Sequence, residues 1–120
     1  MLTRILFADD DFDTRTVVTD QLIAAGFQVE AVPDGVEAIQ RLRADAFDLL
    51  LLDIMMPRKD GLAVLRWLKH QEITPRVIML TGISDLAVAV EAVKLGASDY
   101  VTKPFTFDTL LGTIERVLTR

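Results

Sequence analysis

Four consecutive leucines, Leu49 to Leu52, closed by Asp53, constrain this chain more than any other stretch. A strand that is wet on one face alternates apolar with polar side chains, because successive residues point to opposite faces. An unbroken apolar run with Asp48 before it and Asp53 after it predicts instead a strand buried on both faces, as in the middle of a parallel sheet. Asp53 then stands at the carboxyl end of that strand. In open parallel sheets ligands bind in the crevice beyond those ends, so a carboxylate there is placed for chemistry.

The flanking segments fit such a sheet. Arg4 to Ala8 is a short apolar run that stops at Asp9, Asp10 and Asp11, and Asp13 or Thr14 is expected to cap the helix that follows. Val18, Leu22 and Ala25 recur there at helical spacing until Gly26 offers a C-cap. Phe27 to Val32 alternates as a strand, Asp34-Gly35 turns, and Val36, Ile39 and Leu42 mark a second helix. Leu62, Leu65 and Leu68 define a third helix, and Arg76 to Leu80 a fourth strand ending at Thr81-Gly82. A fourth helix, Ser84 to Leu95, is apolar over a wide arc. Its packed stripe is expected to be Leu86, Ala89, Val90 and Val93, with Val88 and Ala92 toward another face. Asp99 to Thr102 makes the last strand, Lys103-Pro104 interrupts it, and Phe107, Leu110, Leu111, Ile114, Val117 and Leu118 stripe the last helix. Strands alternating with helices through short connections predict an α/β fold, with right-handed crossovers placing helices on both faces of one parallel sheet.

Composition narrows the chemistry. A chain of 120 residues is expected to form one domain, residues 1–120, able to bury roughly two thirds of its extended surface without a staple. It contains no cysteine, which removes thiol nucleophiles, disulfides and thiolate metal sites, and its one histidine, His70, removes a His-rich cluster. His70 reads as a surface residue and Trp67 as partly buried packing. No charge-free run approaches the roughly 18 residues of a membrane span, which predicts a cytoplasmic protein without membrane contact. A net charge of −5 argues against direct nucleic-acid binding by this domain. The chain ends within a few residues of its last helix, as a stand-alone domain or a fragment cut before a linker would.

Chemistry concentrates at the strand ends: Asp9 and Asp10 after the first strand, Asp53 after the third, Thr81 after the fourth and Lys103 after the fifth. Parallel strands bring these ends to one edge. Singly, each has a plain reading as a cap, a strand-end hydroxyl or a surface charge. Together they describe a crowded set of carboxylates whose repulsion a hard divalent cation such as Mg²⁺ relieves, with a lysine and a hydroxyl suited to phosphoryl oxygens.

These residues carry a family resemblance. Asp9-Asp10, Asp53-Ile54-Met55-Met56-Pro57 with Asp60-Gly61, Thr81-Gly82, and Gly96 to Phe105 resemble the response-regulator receiver domain of two-component signalling, over essentially the whole chain. The resemblance implies a doubly wound, flavodoxin-like five-stranded sheet of order 2-1-3-4-5 with five helices. It implies that Asp53 accepts a phosphoryl group from a sensor histidine kinase, a phosphotransfer protein or a small acyl phosphate. It further implies that Asp9, Asp10, Asp53 and the Met55 carbonyl hold Mg²⁺, with Mn²⁺ as a substitute, and that Thr81 and Lys103 bind phosphoryl oxygens. By the same resemblance Lys103-Pro104 is a cis bond, and Thr81 and Tyr100 form the switch that alters the surface of helix 4, strand 5 and helix 5. That surface would serve partner binding or a phosphorylation-linked homodimer, with a covalently attached output domain as the receiver part of a transcriptional regulator.

The resemblance also implies that Met55 and Ile83, each two residues past a site residue, shape the access of hydrolytic water; both are apolar here and hold no water strongly, which predicts slow hydrolysis of an aspartyl phosphate. Two competing functions are a constitutive protein-binding pseudo-receiver, which need not keep the site residues, and a small phosphohydrolase, for which no substrate cap is visible. The only chemistry expected is on the chain itself, with no turnover of an external substrate.

Overall fold

The central strand is buried as its leucine run requires: Leu49, Leu50, Leu51 and Leu52 are each fully inaccessible. In the computed structural model, which describes residues 2–72, 74–82 and 86–120, this strand is β3 (Leu49–Asp53). Its neighbours are β1 (Arg4–Ala8) and β4 (Arg76–Gly82), with β2 (Gln28–Val32) and β5 (Asp99–Lys103) at the edges, giving a parallel sheet of order β2-β1-β3-β4-β5. The helices between them are α1 (Phe12–Ala24), α2 (Gly35–Ala44), α3 (Gly61–Leu68), α4 (Leu86–Lys94) and α5 (Phe107–Leu118). This is the flavodoxin-like doubly wound arrangement expected from the sequence. Among the described residues no helix is long and apolar enough to cross a membrane.

Strand alternation divides the core into two layers. Leu50 and Leu52 face one layer with Leu6, Met79, Val64, Leu65 and Ala92, beneath α2, α3 and α4. Leu49 and Leu51 face the other with Phe7, Ile78, Leu22, Leu110 and Ile114, beneath α1 and α5. Each leucine so buried contributes about 1.5–3 kcal/mol relative to exposure, and the central strand carries four of them.

The helix boundaries follow local chemistry, with two corrections to the sequence reading. Helix α1 is capped by Asp11, not by Asp13 or Thr14; the Asp11 carboxylate accepts from the Thr14 N–H at 3.1 Å, so Thr14 is the donor and the helix starts earlier. In α4 the buried residues are Ala89 and Ala92, with Val88, and Leu95 just past its end, partly buried against the core. Val90 and Val93 are exposed, 48 % and 53 %, so of the expected stripe Ala89 is buried while Val90 and Val93 are not, and Ala92 and Val88 take their place. Spacings of three and four link 88, 89, 92 and 95 on one face, while 90 and 93 fall on the other. The Leu86 side chain, Ile83 and the start of α4 at Ser84 lie outside the described residues. Gly26 and Gly96, at φ +101° and +105°, end α1 and α4 in the left-handed conformation that glycine adopts without cost.

Candidate functional site

Asp9 follows β1 directly and is fully buried, Asp53 ends β3 and is 5 % exposed, and Asp10 beside them is open to solvent. Carboxylate oxygens of the three lie within 4.8 Å of one another. Buried polar residues ordinarily need a structural reason. Among the described residues Asp9, Asp53 and Thr81 are three of only five such groups, and all three sit at this edge.

Lys103 reaches across from the end of β5. Its Nζ donates to Asp9 Oδ2 at 2.9 Å and to Asp53 Oδ2 at 3.1 Å. The Lys103–Pro104 bond is cis, as expected. The remaining contacts hold the carboxylates in place: the Asp11 N–H donates to Asp9 Oδ1 at 2.9 Å and the Met55 N–H to Asp53 Oδ1 at 3.3 Å. Arg15, from α1, donates to the Asp9 carbonyl at 2.8 Å, a contact that nothing in the local sequence announces.

Burial pushes the Asp53 carboxyl above the usual carboxylate range, and the Asp9 charge adds to this; Lys103 offsets only part of it. For Lys103, burial works to lower the pKa, but the hydrogen bond to Asp9 and the charges of Asp53 and Asp9 outweigh it and hold the amine above its ordinary value. Three carboxylates against one ammonium leave an excess of about two negative charges when all are ionised. Oxygen donors only, crowded and under-neutralised, suit a hard divalent cation better than a softer metal. The set therefore fits Mg²⁺.

Thr81 and Tyr100 occupy the next strands. Asp53 is in register with Leu80, which places Thr81 one residue further along β4; it is buried, and its hydroxyl donates to the Gly82 carbonyl at 3.3 Å. Tyr100, on the edge strand β5, is 43 % exposed. Met55 is open to solvent, 70 % exposed in the loop after β3. His70 is exposed and Trp67 half-buried against the α2–α3 layer, both outside the cluster.

Sequence reasoning missed one element of the surroundings. Asp34, read only as part of a turn, is 6 % exposed, caps α2 through the Glu37 N–H at 2.9 Å, and pairs with Arg58 of the β3–α3 loop. No local pattern signals a partner 24 residues away.

Comparison with known proteins agrees with this geometry. The family model described as the response regulator receiver domain matches residues 5–115. The response regulator protein PmrA of Pseudomonas aeruginosa is 44 % identical over 117 residues, covering 98 % of this chain and 52 % of PmrA. The chain thus spans about half the length of that relative. A putative response regulator from Chloroflexus aurantiacus superposes with a TM-score of 0.94 at 27 % identity, over the whole of both chains. NtrX from Brucella abortus superposes with a TM-score of 0.92 at 35 % identity, over 99 % of this chain and 27 % of NtrX. With the sheet order, the acidic cluster at its carboxyl edge and a family match across most of its length, the chain belongs to the response-regulator receiver family.

Proposed function

We propose that residues 1–120 form one receiver domain that acts as a phosphorylation-controlled switch in the cytoplasm, with Asp53 as acceptor. The observation that carries this reading is the buried Asp53 carboxylate, oriented by the Met55 N–H and tied through Lys103 to Asp9. The donor is the phosphohistidine of a sensor histidine kinase or phosphotransfer protein, or a small acyl phosphate. One Asp53 carboxylate oxygen attacks phosphorus, the P–N or P–O bond to the donor breaks, and the leaving group departs with the electron pair. Phosphoryl transfer requires positioning and charge neutralisation more than covalent machinery.

Asp9, Asp10, Asp53 and the Met55 carbonyl would hold Mg²⁺, with Mn²⁺ as a substitute. When bound, the cation neutralises charge on the transferring phosphoryl oxygens. Lys103, already within hydrogen-bond reach of Asp53, supplies a second positive group to those oxygens. Thr81 exchanges its weak bond to the Gly82 carbonyl for one to a phosphoryl oxygen, and Tyr100 moves from its exposed position on β5 into the space released. The altered surface comprises α4, β5 and α5, where Val90, Val93 and Tyr100 are the large exposed apolar residues among those described. That face serves a linked output domain, a partner or a second copy of the chain. The kinase approaches over the apolar groove between α1 and the β5–α5 connection, which Val17, Val18, Phe105 and Phe107 line and Lys103 borders.

Intact-mass measurement after incubation with Mg²⁺ and acetyl phosphate tests the reading. One phosphoryl group, roughly 80 Da, is expected on the parent and none on Asp53→Asn. No adduct on the parent, even with a phosphohistidine donor, would favour a constitutive binding module, against which the complete set of site residues argues.

A further inference from the structure

The loop from Ile54 to Asp60 joins β3 to α3 and carries Met55. Both of its ends are tightly held. The Gly61 N–H donates to the Ile54 carbonyl at 3.0 Å, and a Cβ on Gly61 would lie 2.5 Å from the Asp53 carbonyl oxygen. Its middle is a three-residue turn in which the Lys59 N–H donates to the Pro57 carbonyl at 2.7 Å. Arg58, at the centre of that turn, has φ +64°, and among the described residues it is the only non-glycine in the left-handed region.

Such a backbone costs on the order of 1 kcal/mol or more and persists only where surroundings over-determine it. Here the surroundings are the start of α2. The Arg58 guanidinium grips Asp34 with two prongs, Nε to Oδ2 at 2.9 Å and Nη2 to Oδ1 at 3.2 Å. Asp34 is itself immobilised by burial and by capping α2. One residue on, Gly35 packs so closely under the Lys59 carbonyl oxygen that no Cβ would fit. A strained turn is therefore pinned to a helix that takes no direct part in the site.

We propose that the Arg58–Asp34 pair is a clamp that fixes the β3–α3 loop, and through it the placement of the Met55 backbone at the cation site, making Arg58 a positioning residue. The cation part of this inference rests on the metal-assisted acceptor reading above; the loop-fixing part does not. The clamp also makes a prediction of distinctive sign. Removing a positive charge from the loop that carries Met55 would, by charge alone, tighten Mg²⁺ binding. Loss of the clamp weakens it, because the loop then samples conformations that withdraw the Met55 backbone.

The test titrates Mg²⁺ into the metal-free chain by calorimetry and follows amide hydrogen exchange of residues 54–60, for the parent, Arg58→Ala, Arg58→Lys and Asp34→Asn. Asp34→Asn keeps a capping oxygen for α2 while losing the charge. Removal of groups that orient metal ligands from outside the coordination sphere commonly costs about tenfold or more in affinity, and a clamp one step further out is expected to cost about three- to tenfold. Arg58→Ala and Asp34→Asn should show that loss together with faster exchange in 54–60, and Arg58→Lys should recover part of both. Arg58→Ala binding Mg²⁺ as tightly as the parent or tighter, with unchanged exchange, would overturn the clamp. A parent that binds no Mg²⁺ at tens of millimolar, with exchange still accelerated in Arg58→Ala, would support the clamp and overturn the metal reading instead.

Discussion

Replacing Lys103 with methionine removes the one ammonium bonded to both buried carboxylates while keeping most of the aliphatic stem. Two ionised oxygens 4.8 Å apart, the outer limit for this cluster, repel by about 3 kcal/mol at an effective dielectric near 20. Stripping one partner from a buried pair typically costs 3–5 kcal/mol. The Lys103 side chain is 30 % exposed, so water screens part of the interaction, and a loss of about 1–3 kcal/mol is expected. At roughly 4 °C per kcal/mol for a domain of this size, the melting temperature should fall by about 4–12 °C.

The loss must depend on pH and on metal. Asp53 already has a raised carboxyl pKa, and without Lys103 it rises further. A carboxyl whose folded-state pKa lies above its unfolded value of about 3.9 keeps a proton in the folded state that the unfolded chain releases. The penalty therefore grows as pH rises from the unfolded value through the raised folded one, and is complete above it. In the parent, the amine's contribution is present throughout this range and is lost only as pH rises through its own raised pKa, above 10.5. Urea denaturation of parent and Lys103→Met at pH 5 and pH 8, with and without 10 mM Mg²⁺, measures the difference. The destabilisation should be smaller at pH 5 than at pH 8 and should shrink on adding Mg²⁺. Equal losses at both pH values, insensitive to Mg²⁺, would show that Lys103 acts by packing and refute the electrostatic account.

Gly61→Ala should destabilise the chain by about 1–3 kcal/mol through overpacking and slow acceptor phosphorylation, because the new Cβ meets the Asp53 carbonyl oxygen at 2.5 Å and Ile54 Cα at 2.9 Å; thermal melts and intact-mass kinetics check this. Met55→Asn should shorten the lifetime of the aspartyl phosphate, since an exposed amide can hold the attacking water where a thioether cannot; an unchanged decay after donor removal would refute it. Val90→Glu should leave stability within about 0.5 kcal/mol while reducing association of the phosphorylated chain through the exposed side of α4, read by light scattering. Val88→Glu, at a half-buried position against the core, should instead destabilise the fold.

What the sequence made legible, and what it did not, divides along physical lines. A strand buried on both faces writes itself as a solid apolar run, so β3 and its place in the middle of the sheet follow from Leu49 to Leu52 alone. Parallel strands share one carboxyl edge, so residues as far apart as Asp9 and Lys103 could be brought together on paper before any distance was known. Helix α4 could be phased only in part, because alanines and valines on every side give periodicity little to distinguish: Ala89 is buried as expected, but Val90 and Val93 face solvent and Ala92 the core. The acidic run Asp9 to Asp11, with Asp13 just beyond it, likewise hid which residue caps α1, since Asp11 and Asp13 are both chemically suited and only the backbone turn selects Asp11. The Arg58–Asp34 pair was invisible for a different reason: it joins two connections that meet only once α2 and α3 pack side by side. Sequence thus identifies which charges share an edge, whereas structure decides which of them neutralise one another. Lys103 is spent on Asp9 and Asp53, and Arg58 on Asp34, while Asp10 forms no ion pair among the described residues. The negative charge left over is of the kind that a hard divalent cation can satisfy without displacing either pair.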